Sequence, residues 1–371
     1  MHIRLKNDMR KICTIPATPD RRAAMGKQQR ITKPCELMDD SGLLLHPGYA
    51  TKPFWRYDRR KIKAGWHRIK EWDYYCVVSP ENGYCITFTL ADLGYIGLAA
   101  VCWLDIQNQT FRQFDTMSVL PRGRMGLTAA SGDGTTRFKD KKIMLEYRVT
   151  GIHRRIKFNA PEFVGPAGEK GLAGELDLYH DPDTDTMVIA TSWPENRRAF
   201  YYNRKINCMP VRGWVTLGER TLEFLPENSF GTLDWGRGNW TYKNRWYWGS
   251  ASGLLHGEPF GWNIGYGFSD RSVASENMLF YKGRVHKLDS VTFHLDTANY
   301  MAPWKFTSSD KRFELDFEPV VDRHGTTDFI FIKSMQHQVF GYFSGDVVLD
   351  DCTGLHLDRF FGFAEDVLNW W

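Results

Sequence analysis

Bulky and polar residues alternate along most of this chain with a period of two. Phe260, Trp262, Ile264, Tyr266 and Phe268 are interleaved with Gly261, Asn263, Gly265, Gly267 and Ser269, which is the period of a β-strand and not of a helix. One face of that strand is aromatic and the other nearly bare. A bare glycine face marks a close approach by a backbone, a ring or a ligand, or relieves curvature in a bent sheet. From Trp66 onward KEWDYYCVVSP alternates Trp72, Tyr74 and Cys76 against Asp73, Tyr75 and Val77, and a Glu81-Asn82-Gly83 turn leads into YCITFTLADLGYIGLAAVCWLDI. Further strands are expected near 142–149, 152–158, 172–178, 186–193, 200–207 and 213–224. Past Pro226 they are expected near 245–252, 260–269, 276–282, 284–295, 304–308, 312–321, 329–346 and 354–369, the 329–346 stretch bending midway. No long amphipathic helix is legible. Two runs of short strands, each near the roughly eight at which a barrel closes, predict an all-β fold of two antiparallel β-barrels side by side. The 371 residues then divide into an extension (1–30), an N-terminal barrel (31–228) and a C-terminal barrel (229–371).

Charge changes the picture only at the N-terminus. Residues 1–30 carry eight Lys/Arg against Asp8 and Asp20, with Pro16 and Pro19 and no periodicity, and are expected to be a disordered arm. Met25 stands shortly before the coherent segment that starts at Ile31, as an alternative start. The rest of the chain holds 40 basic and 42 acidic side chains, which gives no basis for nucleic-acid binding. Seven cysteines, an odd number with no C-x-x-C pair, read as free thiols of a reducing compartment. The N-terminus has no secretory h-region. The longest apolar run, Leu93 to Leu104, falls short of the roughly 18–20 residues of a membrane-spanning helix. A soluble, cytoplasmic protein with no integral membrane segment is expected, and nothing in the sequence sets its oligomeric state.

Aromatic residues make up 15% of the chain, and five of its 14 Trp lie between Trp235 and Trp262. That concentration suits an apolar cavity for a lipophilic small molecule. Asp234 and Arg237 sit three apart in an apparent glycine-flanked turn, where they either lock the turn or present a carboxylate oriented by the guanidinium. Trp235, Trp240, Trp246 and Trp248 are core packing or cavity lining. His286 opens a strand after the Lys282-Gly283 turn, and histidine exchanges protons near neutrality. Asp234, Glu276 and His286 are therefore the candidate proton donors and acceptors. Asp73 and Tyr75 share one face of their strand and join the four tryptophans and Arg237 as candidate ligand contacts. Trp262, Asn263, Tyr266 and His337 complete that set. HDPDTD (180–185) opens like a calcium loop but lacks the glycine and glutamate such a loop needs, so it reads as a polar hairpin turn. No metal site is expected, and with no P-loop, dinucleotide fingerprint or nucleophile motif, no cofactor either.

Several segments carry a family resemblance. KEWDYY, ADLGYIGL, MVIATSW, FYYNRKINCMP, LDWGRGNWTYKNRWYWGSASG, GYGFSD, SENMLFYKG, HKL, QHQVFG and GFAE resemble the family called domain of unknown function 2804, over about Ile31 to Trp370. That family is similar, more distantly, to two-barrel lipocalin-like proteins that include attachment-locus proteins, carotenoid hydratases and some fungal hydratases and cyclases. The resemblance implies two lipocalin-like barrels and brings no reaction with it. Two functions stay open: an acid–base enzyme of hydratase, isomerase or cyclase type acting on a lipophilic molecule, and a binding or carrier protein for an apolar metabolite.

Overall fold

The computed structural model describes residues 28–329 and 332–371; residues 1–27 of the arm expected over 1–30 lie outside them. Three short strands, β1 (Cys35–Glu36), β2 (Gly48–Ala50) and β3 (Trp55–Arg56), lead into β4 (Ile69–Ser79), β5 (Tyr84–Asp92), β6 (Ile96–Asp105) and β7 (Thr110–Val119). A second group is β8 (Gly134–Lys139), β9 (Met144–Thr150), β10 (His153–Val164) and β11 (Lys170–Tyr179). It continues as β12 (Met187–Trp193), β13 (Asn196–Leu217), β14 (Arg220–Phe224) and β15 (Phe230–Asn239). The chain then runs through β16 (Lys243–Leu255), β17 (Glu258–Tyr266), β18 (Met278–Tyr281), β19 (Arg284–Lys287), β20 (Val291–His294) and β21 (Trp304–Ser308). Three long strands end it: β22 (Phe313–Phe329), β23 (Ile332–Val348) and β24 (Gly354–Trp370). The only helical elements among the described residues are three single 3-10 turns.

Two curled antiparallel sheets result. The first follows the order β7-β6-β5-β4-β15-β13-β11-β10-β9-β8, with β12, β14 and β2 attached along its flank. The second runs β19-β18-β17-β16-β24-β23-β22-β21-β20. Register shifts supply the curl, since an extra residue in one strand bends it and adds twist. The shift in β13 falls between Ile206 and Met209, where Cys208 has a φ of 59°; β13 pairs with β12 before it, with β11 and β14 beyond it, and with β15 on both sides. Shifts between Pro319 and Val321 in β22 and between Phe343 and Gly345 in β23 bend the second sheet likewise. The sheets curl without hydrogen-bonded closure. Side chains bridge the gaps, Phe114 of β7 meeting Phe163 of β10 and Tyr266 of β17 meeting Phe293 of β20.

β15 belongs to the first sheet, between β13 and β4. The chain therefore changes sheet between Asn239 and Lys243, after a strand that the expected division at 228/229 had placed in the second half. Residues 28–30, assigned to the extension, are also docked: Gln29 N–H donates to Val273 O at 2.9 Å and Arg30 bridges to Tyr49.

Strand alternation sorts side chains into four cores, three of which are the two curls and the layer between them. Tyr75, Val77, Phe88, Leu90 and Trp235 fill the interior of the first curl. Phe260, Trp262, Ile264, Phe306 and Phe343 fill the second. The opposite faces of the same strands meet between the curls, where Tyr74, Cys76, Val78 and Cys85 pack with Val320, Phe340, Phe361 and Phe363. Burial of each such large apolar side chain stabilises the fold by about 1.5–3 kcal/mol. Both faces of the central strands are thus dry, and Cys76, Cys85 and Cys102 are buried free thiols in the layer between the sheets. Among the described residues no helix is long and apolar enough to cross a membrane.

Candidate functional site

Two rows of side chains face each other across the layer between the sheets. In the first sheet Tyr74, Asp234 and Lys205 are successive cross-strand partners on β4, β15 and β13. In the second, Trp248, Glu365 and Gln338 are successive partners on β16, β24 and β23. Directly opposed side chains in a sheet lie close enough to interact, and the rows also touch each other. Lys205 Nζ sits 2.9 Å from Asp234 Oδ2 and 3.8 Å from the centre of the Trp248 ring. Tyr74 packs edge-on against Trp248 at 6.0 Å, and its hydroxyl donates to Gln338 Oε1 at 3.2 Å.

Between the rows lies a cavity of about 280 Å³. Its wall is aromatic, with Trp72, Tyr201, Trp240, Trp246, Phe268 and Trp371 beside Tyr74 and Trp248. Its charged groups are Asp234, Glu276, Glu365, Lys205 and Arg323, all buried. Two other depressions, of about 460 and 480 Å³, lack a cluster of buried carboxyls.

Each acid is held differently. Asp234 pairs with Lys205 and accepts from Asn203 Nδ2 at 2.5 Å. Glu276 lies 4.0 Å from Lys205, and Asn263 Nδ2 donates to its backbone oxygen at 2.9 Å and more weakly to its carboxylate at 3.4 Å. Burial raises the Glu276 pKa. The loop before it is pinned from two sides: Lys287 Nζ donates to Ser275 Oγ and Asn277 O, and Gln28 Oε1 accepts from Ser275 N–H. Glu365 accepts from Trp246 Nε1 at 3.3 Å. Burial pushes its pKa up to about 8, against the pull of Lys205 and of the Trp246 hydrogen bond. At neutral pH this carboxyl therefore holds its proton. Arg323 is anchored by Gln338 Oε1 at 2.7 Å and Gln113 Oε1 at 2.8 Å. Trp240 Nε1, Trp371 Nε1 and Asn369 Oδ1, on residues of this wall, are buried with no hydrogen-bond partner among the described residues.

Of the residues singled out from sequence, Asp234, Glu276, Trp240, Trp246 and Trp248 meet in this cavity. Asn263 stands behind it, accepting from Trp248 Nε1 at 2.7 Å while it holds Glu276. The others lie elsewhere, for reasons of parity. Asp234 and Arg237 occupy an unbroken strand, so a spacing of three puts them on opposite faces. Arg237 pairs with Asp73 at 2.9 Å and covers the Trp235 ring inside the first curl, near Tyr75. Trp262 is buried in the second core. Tyr266 stacks on Tyr247 there at 4.8 Å. His337 projects from β23 on the face opposite Gln336 and Gln338, stacked on Tyr300 at 3.7 Å and bonded to Asp322 Oδ2 at 2.8 Å. His286 lies outside the cavity, its Nδ1 accepting from Asp350 N–H at 3.2 Å.

The glycines of the 260–269 stretch do mark close approaches. A Cβ on Gly261 would strike Ala251 O and Cys208 Sγ, and one on Gly265 would strike the Glu276 carboxylate. At Gly267 a φ of 114° ends the alternation, and Phe268 lines the cavity instead of joining Phe260 and Trp262 in the core. Sequence reasoning missed Lys205, Glu365 and Arg323. Lys205 and Glu365 stand in two quoted segments, FYYNRKINCMP and GFAE, beside the charged neighbours Arg204 and Asp366.

These features define a two-sheet all-β protein with an acid-lined aromatic cavity between its sheets. The chain belongs to the family described as domain of unknown function (DUF2804), whose model matches residues 28–371. No curated protein sequence matches it. Among solved structures it is similar to CghA with Sch210972 (TM-score 0.52, 11% identity) and to CghA alone (TM-score 0.53, 12% identity), covering 81% of this chain and 88% of that one in each case. A putative AttH from Nitrosomonas europaea aligns at 12% identity and a TM-score of 0.49, over 85% of this chain and 98% of its own. Kievitone hydratase from Nectria haematococca aligns at 11% identity and a TM-score of 0.45, over 81% and 88%. The likeness to CghA establishes a shared fold.

Proposed function

We propose that the cavity between the sheets binds a lipophilic small molecule and that Glu365, with Asp234 and Glu276, moves protons on it without a cofactor. The reaction class is hydration, dehydration, isomerisation or cyclisation. One observation carries this reading: a fully buried carboxyl in an aromatic chamber, with its pKa pushed up to about 8, is protonated at neutral pH and able to donate. Asp234, paired with Lys205 on the facing sheet, is the complementary acceptor, and Glu276 lies beside the same lysine. Arg323 and Gln338 form a polar end against which a ligand's oxygen substituent can rest, while the tryptophans cover its apolar body.

A non-catalytic carrier is the second reading. It is favoured by the aromatic wall, which holds an apolar metabolite whether or not a proton moves. The separating experiment incubates the protein with a panel of prenylated phenols, enones and polyenes. Products are read by mass spectrometry as gain or loss of water or as isobaric rearrangement. The enzyme reading expects a product that disappears with Glu365→Gln while binding persists; binding without product from any panel member leaves the carrier.

A further inference from the structure

The interior of the first curl, on the far side of β4, β13 and β15 from the cavity, holds an uncompensated positive charge. Arg154, Arg204 and Arg237 are buried there, with 4%, 5% and 0% of their surface exposed. Arg237 has a carboxylate partner in Asp73 at 2.9 Å. The other two bind neutral oxygens only. Arg154 Nη2 donates to Ser131 O at 2.7 Å, and Arg204 donates to Ser131 Oγ at 3.1 Å and Thr186 Oγ1 at 3.2 Å. Among the described residues neither has an ion pair, although a buried charge is costly unless it is paired.

Beside them lies a small cavity of about 20 Å³, bordered by Arg154, Tyr147, Trp235, Tyr75 and Ser131. Three of these residues leave a buried polar atom without a partner: Arg154 Nε, Tyr147 Oη and Trp235 Nε1. Arg154 Nε and Trp235 Nε1 only donate, and the Tyr147 hydroxyl can donate or accept. A water molecule can accept from the two N–H groups and donate to the Tyr147 hydroxyl, but it brings no charge to offset the arginines. Asp73 also borders the space, but Arg237 engages its carboxylate. His180, whose Nε2 is also buried and unpartnered, has its pKa lowered to about 2 by burial and by Arg204 and Arg154, so it stays neutral and adds nothing to the imbalance.

We propose that this cavity is an anion site for one monovalent ion of chloride's size, which accepts from Arg154 Nε–H, Tyr147 O–H and Trp235 Nε1–H and offsets the Arg154–Arg204 charge. The site is separate from the cavity between the sheets, and its role is to hold the first curl together.

Crystals of the full chain grown in sodium bromide and measured at the bromine absorption edge test it directly. The companion measurement is thermal melting in sodium chloride against sodium gluconate at equal ionic strength. The expected result is an anomalous peak beside Arg154 and a saturable rise in melting temperature with chloride alone. Tyr147→Phe removes one donor while keeping the ring. It is expected to weaken the chloride response roughly ten- to hundredfold, the effect of one hydrogen bond to a charged group. The absence of a bromide peak, or a chloride response in Tyr147→Phe equal to that of the native chain, overturns the proposal.

Discussion

Lys205 Nζ and Asp234 Oδ2 are 2.9 Å apart in a layer buried between two sheets, on directly opposed positions of β13 and β15. The lysine has 4% of its side chain exposed and the aspartate 11%, so the pair is not screened by bulk water. Asp234→Asn keeps the shape and leaves the ammonium with only Glu276, 4.0 Å away, to balance it. That substitution is expected to cost roughly 3–5 kcal/mol in urea unfolding, the usual result of removing one member of a buried pair. Adding Lys205→Met to it is expected to restore most of the loss. A double variant no more stable than Asp234→Asn contradicts the pairing.

Glu365 makes stability depend on pH in a direction opposite to that of most acids. Its ordinary value is 4.5 and its value in the fold is about 8, so between these pH values the unfolded chain has released a proton that the folded chain keeps. Stability therefore falls as pH rises from 4.5 to 8, by about 1.4 kcal/mol per pH unit from this group. Below 4.5 both states are protonated and the contribution vanishes. Glu365→Gln is expected to flatten that slope and to be the more stable protein at pH 8. Unfolding curves for both proteins at pH 5, 6.5 and 8 check it, and parallel pH dependences contradict it.

Gly265 holds open the space that the Glu276 carboxylate occupies. Gly265→Ala is expected to destabilise the fold by roughly 1–3 kcal/mol, the cost of overpacking, and to weaken ligand binding by displacing Glu276. Gly354→Ala, where nothing lies within 4 Å of the added methyl, is the control and is expected within about 0.5 kcal/mol of the native chain. Equal unfolding midpoints for the two variants contradict the close approach at Gly265.

Most strands were legible because period-two alternation survives even where both faces are buried, but β7, β8 and β15 were not among those expected. Which face looks where was less legible, for the same reason. On β4 the alternation separates Trp72 and Tyr74 from Asp73 and Tyr75, but it does not say which set fills a curl and which meets the other sheet. The aromatic face of Phe260, Trp262 and Ile264 looked like a ligand wall and is a closed core, while Asn263 on the bare face supports the site. Asp234 and Arg237 were read as a turn because of their glycines. Gly236 is there for another reason: a Cβ on it would strike the Trp72 ring. Nothing in the sequence set Glu365 apart from its neighbour Asp366, because an acid on a strand becomes chemically distinctive only when Trp248, Gln338 and the facing sheet exclude water from it.

The central claim is that the ligand site lies between the sheets with Glu365 at its wall. The most direct measurement is a crystal structure of the chain soaked with the lipophilic panel member that most alters tryptophan emission. The account predicts ligand density bounded by Trp240, Trp246 and Trp248, with a polar ligand atom within about 3.2 Å of a Glu365 oxygen. Ligand density inside either curl, or between the sheets but turned away from Glu365, would contradict it.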